Sequence, residues 1–412
     1  MSHSSNNLAR RMGGLSHRWL PFADAATVDL TLPRLWRLSL FQLSTGMAIV
    51  LLTGTLNRVM VVELGQGTSL VSLMLAIPLL LAPARALIGY RSDHHRSYLG
   101  WRRIPYLWSG TLMQFGGLAF MPFALILMIE PHSGPPIIGP IAAMGSFLLT
   151  GLGMHVSQTA GLALATDLAT EETRPRVVAL LYLMLLVGMI SSAVIFAALL
   201  DDFSYVRLIQ VIQSAAVITL ILNVAAMWKQ EVRYPELTDH ERERPTFGSA
   251  WGEFINLPKA RRLLWALGLG TMGFTMQDIL LEPYGAHVLG LSVSETTLLT
   301  ALFAGGMVLA LLMTSRTLKK GVDPIRLASV GVLIGIVAFV AVILSAPLHS
   351  TGLFQIGATL IGVGNGLFAV GMLTAAMVFG GAKMAGLTLG AWGAVQAAAT
   401  GLAMFSGGAI RD

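Results

Sequence analysis

The residues that stand out for chemistry in this chain are a few isolated charges and histidines in or beside apolar stretches, and one dense charged turn. Arg58 lies in LLTGTLNRVMVVELG, close to Glu63, and Asp278 and Glu282 lie in MQDILLEPYGAHVLGLSV. Opposite charges in two apolar segments are expensive in lipid and mark a functional pair by default. Arg58 could pair with Asp278 or Glu282 and close the outer side of the molecule, or each charge could reach the headgroups separately. His155, in GMHVSQTAG, has Gln158 one turn along the same helical face. Its imidazole could be an axial donor to a metal or a hydrogen-bonding group between helices. His287, beyond Glu282, is a second candidate of the same kind. The densest charge is in PARALIGYRSDHHRSYLGWRRIPY, where Arg85, Arg91, Arg96, Arg102 and Arg103 surround one carboxylate, Asp93.

The elements that must position these residues are membrane-spanning helices. The chain has 412 residues, 55% hydrophobic and only 12% charged, with a mean hydropathy of +0.71. That is more apolar surface than a soluble domain can hide. Apolar segments of about 20 residues, the length that crosses a bilayer core, recur along it. The spans expected are 38–62, 69–90, 104–129, 137–166, 177–199, 205–228, 263–282, 294–314, 325–346, 352–379 and 384–410. All are read as helices, because a spanning segment must satisfy its own backbone hydrogen bonds.

Apart from Arg58, Arg85, Arg207 and Arg411, every lysine and arginine falls on one side of this ladder, which predicts a cytoplasmic N-terminus. The organisation expected is a cytoplasmic tail (1–37), a six-helix bundle (38–228), a charged linker punctuated by prolines (229–262) and a second bundle (263–412). Six spans, a linker and further spans is the layout of transporters built from two related halves. A basic turn recurs between the second and third spans of each half. Two halves of six would make twelve spans, so a twelfth is expected but absent from this chain.

Several chemistries are excluded or weakened. With no cysteine, disulfides, thiolate catalysis and Cys-type metal sites are out. GLGTMG at 268–273 satisfies a dinucleotide-binding pattern but lies inside an apolar span, not between strand and helix. No nucleophile with a neighbouring base and no phosphate loop appears, so no enzyme is expected. The basic residues follow membrane topology, so no nucleic-acid partner is expected.

Gly89, Asp93, Gly100, Arg102 and Arg103 resemble the signature turn of the major facilitator superfamily, and so would form a cytoplasmic latch between two helical bundles. The resemblance is closer still to the bacteriochlorophyll delivery family, which includes PucC and LhaA. It rests on LLTGTLNRVMVVELG, APARALIGYRSDHHRSYLGWRRIPY, ALATDLATEETRPRVVALLY and MQDILLEPYGAHVLGLSV in that order. It implies an all-α membrane protein of major facilitator type, in a bacterial inner or intracytoplasmic photosynthetic membrane. The implied role is light-harvesting complex assembly, with bacteriochlorophyll or its late precursor bound and passed on, and with carotenoid and lipid as further candidate ligands. The implied partners are the light-harvesting 1 alpha and beta polypeptides, reaction centre assembly intermediates, a pigment-synthesis enzyme, the insertion machinery and membrane lipids. His155, Gln158 and His287 would then be pigment-binding candidates. Service to the peripheral antenna, a pigment-free scaffold and a proton-coupled small-solute transporter are the alternatives.

Overall fold

The computed structural model describes residues 30–81, 85, 88, 91–92, 95, 101–129, 135, 137–170, 174–231, 256, 259–319 and 322–411. Among them the regular elements are all helical. The first crossing enters through α1 (Leu32–Leu38), continues as α2 (Leu40–Ile49) and then widens into π-helical turns over Val50–Leu56 and Val59–Glu63. The first half is completed by α3 (Thr68–Leu80), α4 (Ile104–Ile129), α5 (Ile138–Leu168), α6 (Arg174–Leu199) and α7 (Tyr205–Met227). The second half holds α8 (Ala260–Thr275), a 3-10 turn (Met276–Ile279), α9 (Leu281–Leu289), α10 (Val293–Lys319), α11 (Pro324–Ser345) and α12 (Thr351–Arg411).

Eight helices among the described residues are long and apolar enough to cross a membrane, fewer than the eleven spans expected. Segments α3 and α8 fall short in length at 13 and 16 residues. The expected seventh span, 263–282, is broken, since α8 gives way to the 3-10 turn before Pro283 opens the first turn of α9, where a residue without an N–H costs nothing. The tenth and eleventh spans form one run of helical residues. That run reverses direction between Ala376 and Ala391. Gly270 faces Phe368 while Gly364 faces Phe274, so its first part runs antiparallel to α8. Gly268 faces Val395 while the Met276 carbonyl faces Gly407, so its last part runs parallel to α8.

Backbones approach closely at several glycines that face a neighbouring helix, as expected where lipid gives no hydrophobic drive between helices and packing must hold them. A Cβ on Gly153 of α5 would lie 2.3 Å from the backbone nitrogen of Gln114 in α4. The same pairing recurs in the second half, where α11 meets the first part of α12 through Gly331 and Gly364. The halves share one continuous core, in which Leu56, Met60 and Met74 of the first pack with Ile279, Val293, Ala304 and Met404 of the second. Along one seam the end of α12 lies on α3, with Gly408 against Ser72 and Gly401 against Leu79 and Leu80. Outward, α11 presents Ile325, Leu333, Val337, Val340 and Ile343, a face suited to acyl chains.

Candidate functional site

Three clusters of polar side chains stand in this apolar frame. The first lies on the face that the charge distribution assigns to the cytoplasm. Glu231, directly after α7, accepts hydrogen bonds from the backbone N–H groups of Arg102 (2.8 Å), Arg103 (3.0 Å) and Ile104 (2.9 Å). It thus neutralises orphan donors and the positive dipole end of α4 with one carboxylate. Arg103 Nε donates to Asp167 Oδ2 at 3.0 Å and its Nη1 donates to Ser92 Oγ at 2.6 Å, with the residue only 4% exposed. Arg102 reaches the same Asp167 oxygen at 3.5 Å. Arg34 of α1 donates to both the side-chain and backbone oxygens of Gln230, and Gln230 donates back to the Arg34 carbonyl. Asp167 and Glu231 belong to the first half and its exit, so these bonds brace that half's own basic face. Gly89, Asp93 and Gly100 lie outside the described residues.

The second cluster lies inside the first half, built from four crossings. Arg85 donates through Nε to Thr159 Oγ1 at 3.2 Å and sets Nη1 3.4 Å from His155 Nδ1. Tyr182 of α6 lies within electrostatic reach of the guanidinium. Gln158 Nε2 donates to Gln42 Oε1 of α2 at 3.4 Å. A guanidinium has donors only, so Nδ1 of His155 must accept and the ring proton sits on Nε2. A histidine that ligates a metal is arranged the other way, donating its second N–H to an acceptor. His155, 7% exposed, is therefore set up as a donor to whatever approaches Nε2. The same logic covers His287, whose Nδ1 lies 3.0 Å from Arg411 Nη2.

The third cluster lies between the halves at the opposite end of the first crossing, the outer side in the orientation that the charge distribution predicts. Arg58 forms its ion pair with Glu63, and its Nη2 reaches the Leu291 carbonyl at 3.5 Å. The π-helical turns explain the choice. Residues five apart lie about 140° apart around an α-helix, but close to one face when i→i+5 bonds widen the turn. Glu282 accepts from Thr300 Oγ1 at 2.6 Å and is 4% exposed, while Asp278 accepts from its neighbour Gln277. Neither carboxylate is in an ion pair with Arg58. Glu282 sits directly against Gly54, where a Cβ would lie 2.7 Å from its Oε1. Asn57 Nδ2 crosses the seam to the Ile279 carbonyl at 3.3 Å.

Sequence reasoning alone does not single out Glu231, Asp167, Thr300 or the bonding role of Arg85. Glu231 reads as one more linker charge, although it is the first acid after the sixth span. Arg85 is a charge at the end of a span, and its proximity to the basic turn hides its separate role.

Comparison with known proteins places these clusters in a family setting. A family model described as "PUCC protein" matches residues 55–412. The chain is 51% identical to "Protein PucC" of Rhodovulum sulfidophilum, over all of this chain and 92% of that protein. It is 54% identical to an "Uncharacterized protein in puhA-bchM intergenic region" of Rhodobacter capsulatus, over 98% of this chain and 86% of that one. A "Bacteriochlorophyll synthase 44.5 kDa chain" of Rhodobacter capsulatus is 28% identical over 92% of this chain and 87% of its own length. Among solved structures, a bacterial homologue of the lysosomal transporter Spinster, in an inward-facing conformation, superposes with a TM-score of 0.66 at 17% identity, over 90% of this chain and 81% of that one. The D-xylose-proton symporter gives 0.63 at 15%, over 90% and 88%. The fold is therefore of major facilitator type, in a multi-pass membrane protein, and at these identities the likeness extends to fold alone.

Proposed function

The chain belongs to the PucC protein family, and on that premise we propose that it is an assembly factor for a photosynthetic antenna. It binds bacteriochlorophyll or a late precursor and delivers it to newly inserted light-harvesting 1 polypeptides in the photosynthetic membrane, N-terminus in the cytoplasm. Reaction centre assembly intermediates, the insertion machinery and a pigment-synthesis enzyme are its working partners, and it carries no catalytic step. The observation that carries the reading is whole-length identity of 47–51% to three proteins named PucC. The name of the 28% relative adds support, because it ties a protein similar to nearly the whole chain to bacteriochlorophyll. Service to the peripheral antenna is the nearest variant.

The second reading is a proton-coupled carrier of a small solute. Glu282 favours it, as a carboxylate held between the halves with Oε2 buried and without a hydrogen-bond donor among the described residues. The absorption spectrum of the gently purified protein from a pigment-making host separates the readings. A near-infrared band at constant stoichiometry is expected. A colourless protein that still brings down antenna polypeptides overturns delivery in favour of a scaffold, and one that brings down neither leaves the carrier.

A further inference from the structure

The Arg85 cluster fits a ligand that neither the family name nor the fold assigns. Arg85 points inward, to Thr159 and His155 of α5, so its charge does not reach the headgroups along its own helix. Both of its hydrogen-bond partners are neutral, and no carboxylate pairs with it among the described residues. A half-buried guanidinium without a counter-ion among apolar helices is unfavourable, and an anion supplied from elsewhere relieves it. The neighbours share that bias. His155 offers its Nε2 proton, and Tyr182 stands near with a phenolic hydroxyl. Gln42 and Gln158 bond to one another and keep further amide N–H groups beside the cluster. Three crossings thus bring donors to one fixed positive charge, with the Gln42–Gln158 pair next along α5, the composition suited to binding an oxyanion with charge-assisted hydrogen bonds.

We infer that Arg85, His155 and Tyr182 form an anion-binding subsite that holds the carboxylate or phosphate of an amphiphilic ligand. Resting on the pigment reading, that ligand is a magnesium tetrapyrrole whose propionate side chain is still a free acid, not yet esterified to its long alcohol. The ring and any tail lie among the apolar side chains, and the acid group fixes the orientation. A phosphate-bearing lipid presents the same chemistry and is the other source.

The test uses the full chain in nanodiscs of neutral phosphatidylcholine, titrated with bacteriochlorophyllide and, separately, with esterified bacteriochlorophyll. The wild type should bind the free acid about tenfold more tightly or better, the difference expected for one charge-assisted contact. Arg85→Gln should abolish the preference while ester binding is unchanged, and Arg85→Lys should keep part of it. Circular dichroism and size exclusion check that each variant is folded. Equal affinity for acid and ester in the wild type, or a preference unaltered in Arg85→Gln, overturns the tetrapyrrole acid as the ligand. A third arm measures retention of phosphatidic acid by native mass spectrometry. If neither tetrapyrrole binds, the pigment reading falls, and Arg85-dependent retention of phosphatidic acid still supports the subsite. Anion binding that is independent of Arg85 in every arm overturns it.

Discussion

At the residue scale, buried charges in this protein are settled by their nearest partner, not by the partner that symmetry between halves would suggest. Arg58 takes Glu63 because π-helical turns bring residues five apart onto one face, a register that an α-helical reading of the sequence does not contain. A charge swap follows. Arg58→Glu should be poorly folded, and adding Glu63→Arg should recover thermal stability in detergent. Adding Glu282→Arg should not, since that side chain bonds to Thr300 and sits against Gly54. At the opposite face Glu231 serves three backbone donors at once. Glu231→Gln keeps an acceptor but loses the charge that complements the dipole of α4. It should cost about 0.5–1 kcal/mol, and Glu231→Ala about 1–2 kcal/mol, read as shifts in a thermal unfolding curve.

At the element scale, stability rests on where small residues let backbones meet. Gly153 and Gly145 lie on one helix, but Gly153 meets the backbone of α4 whereas a Cβ on Gly145 would have nothing within 4 Å. Gly153→Val should therefore destabilise the first half by about 1–3 kcal/mol through overpacking, and Gly145→Val should change it by less than about 0.5 kcal/mol. Differential scanning fluorimetry of the two variants checks this. Apolar length made the helices and their order legible in the sequence, because a bilayer imposes a minimum run on any crossing. Local breaks were less legible. The seventh crossing splits at Met276–Ile279, where hydropathy stays high and only Asp278 and Pro283 hint at an interruption. The anticipated latch residues Arg102 and Arg103 do gather acidic partners, but those partners, Asp167 and Glu231, are far off in sequence, and no local spacing announces them.

At the scale of the whole molecule, two of the seams between the halves differ in kind. Along α3 and the end of α12 the contact is small residue against side chain, as at Gly408 on Ser72 and Gly401 on Leu79. On the side that the proposed orientation makes the outer one, the widened first crossing meets the broken seventh and the start of α10. There Thr55 Oγ1, Asn57 Oδ1, Arg58 Nε, Gln277 Oε1, Glu282 Oε2 and Thr297 Oγ1 are all buried without hydrogen-bond partners among the described residues. Each such group costs roughly 1–3 kcal/mol while it stays dry and recovers that cost when water reaches it. Six of them on one seam favour the entry of water there over a dry, sealed joint. The chain has no native cysteine, which allows a direct test with single cysteines and a membrane-impermeant maleimide. Thr297→Cys, at the outer seam, should be labelled in the folded protein at a rate set by opening. Thr111→Cys, equally buried but inside α4 and packed within the first half, should stay unlabelled. If the two cysteines are equally inert, the outer seam is a fixed joint, and any ligand that reaches Arg85 must enter from the other side.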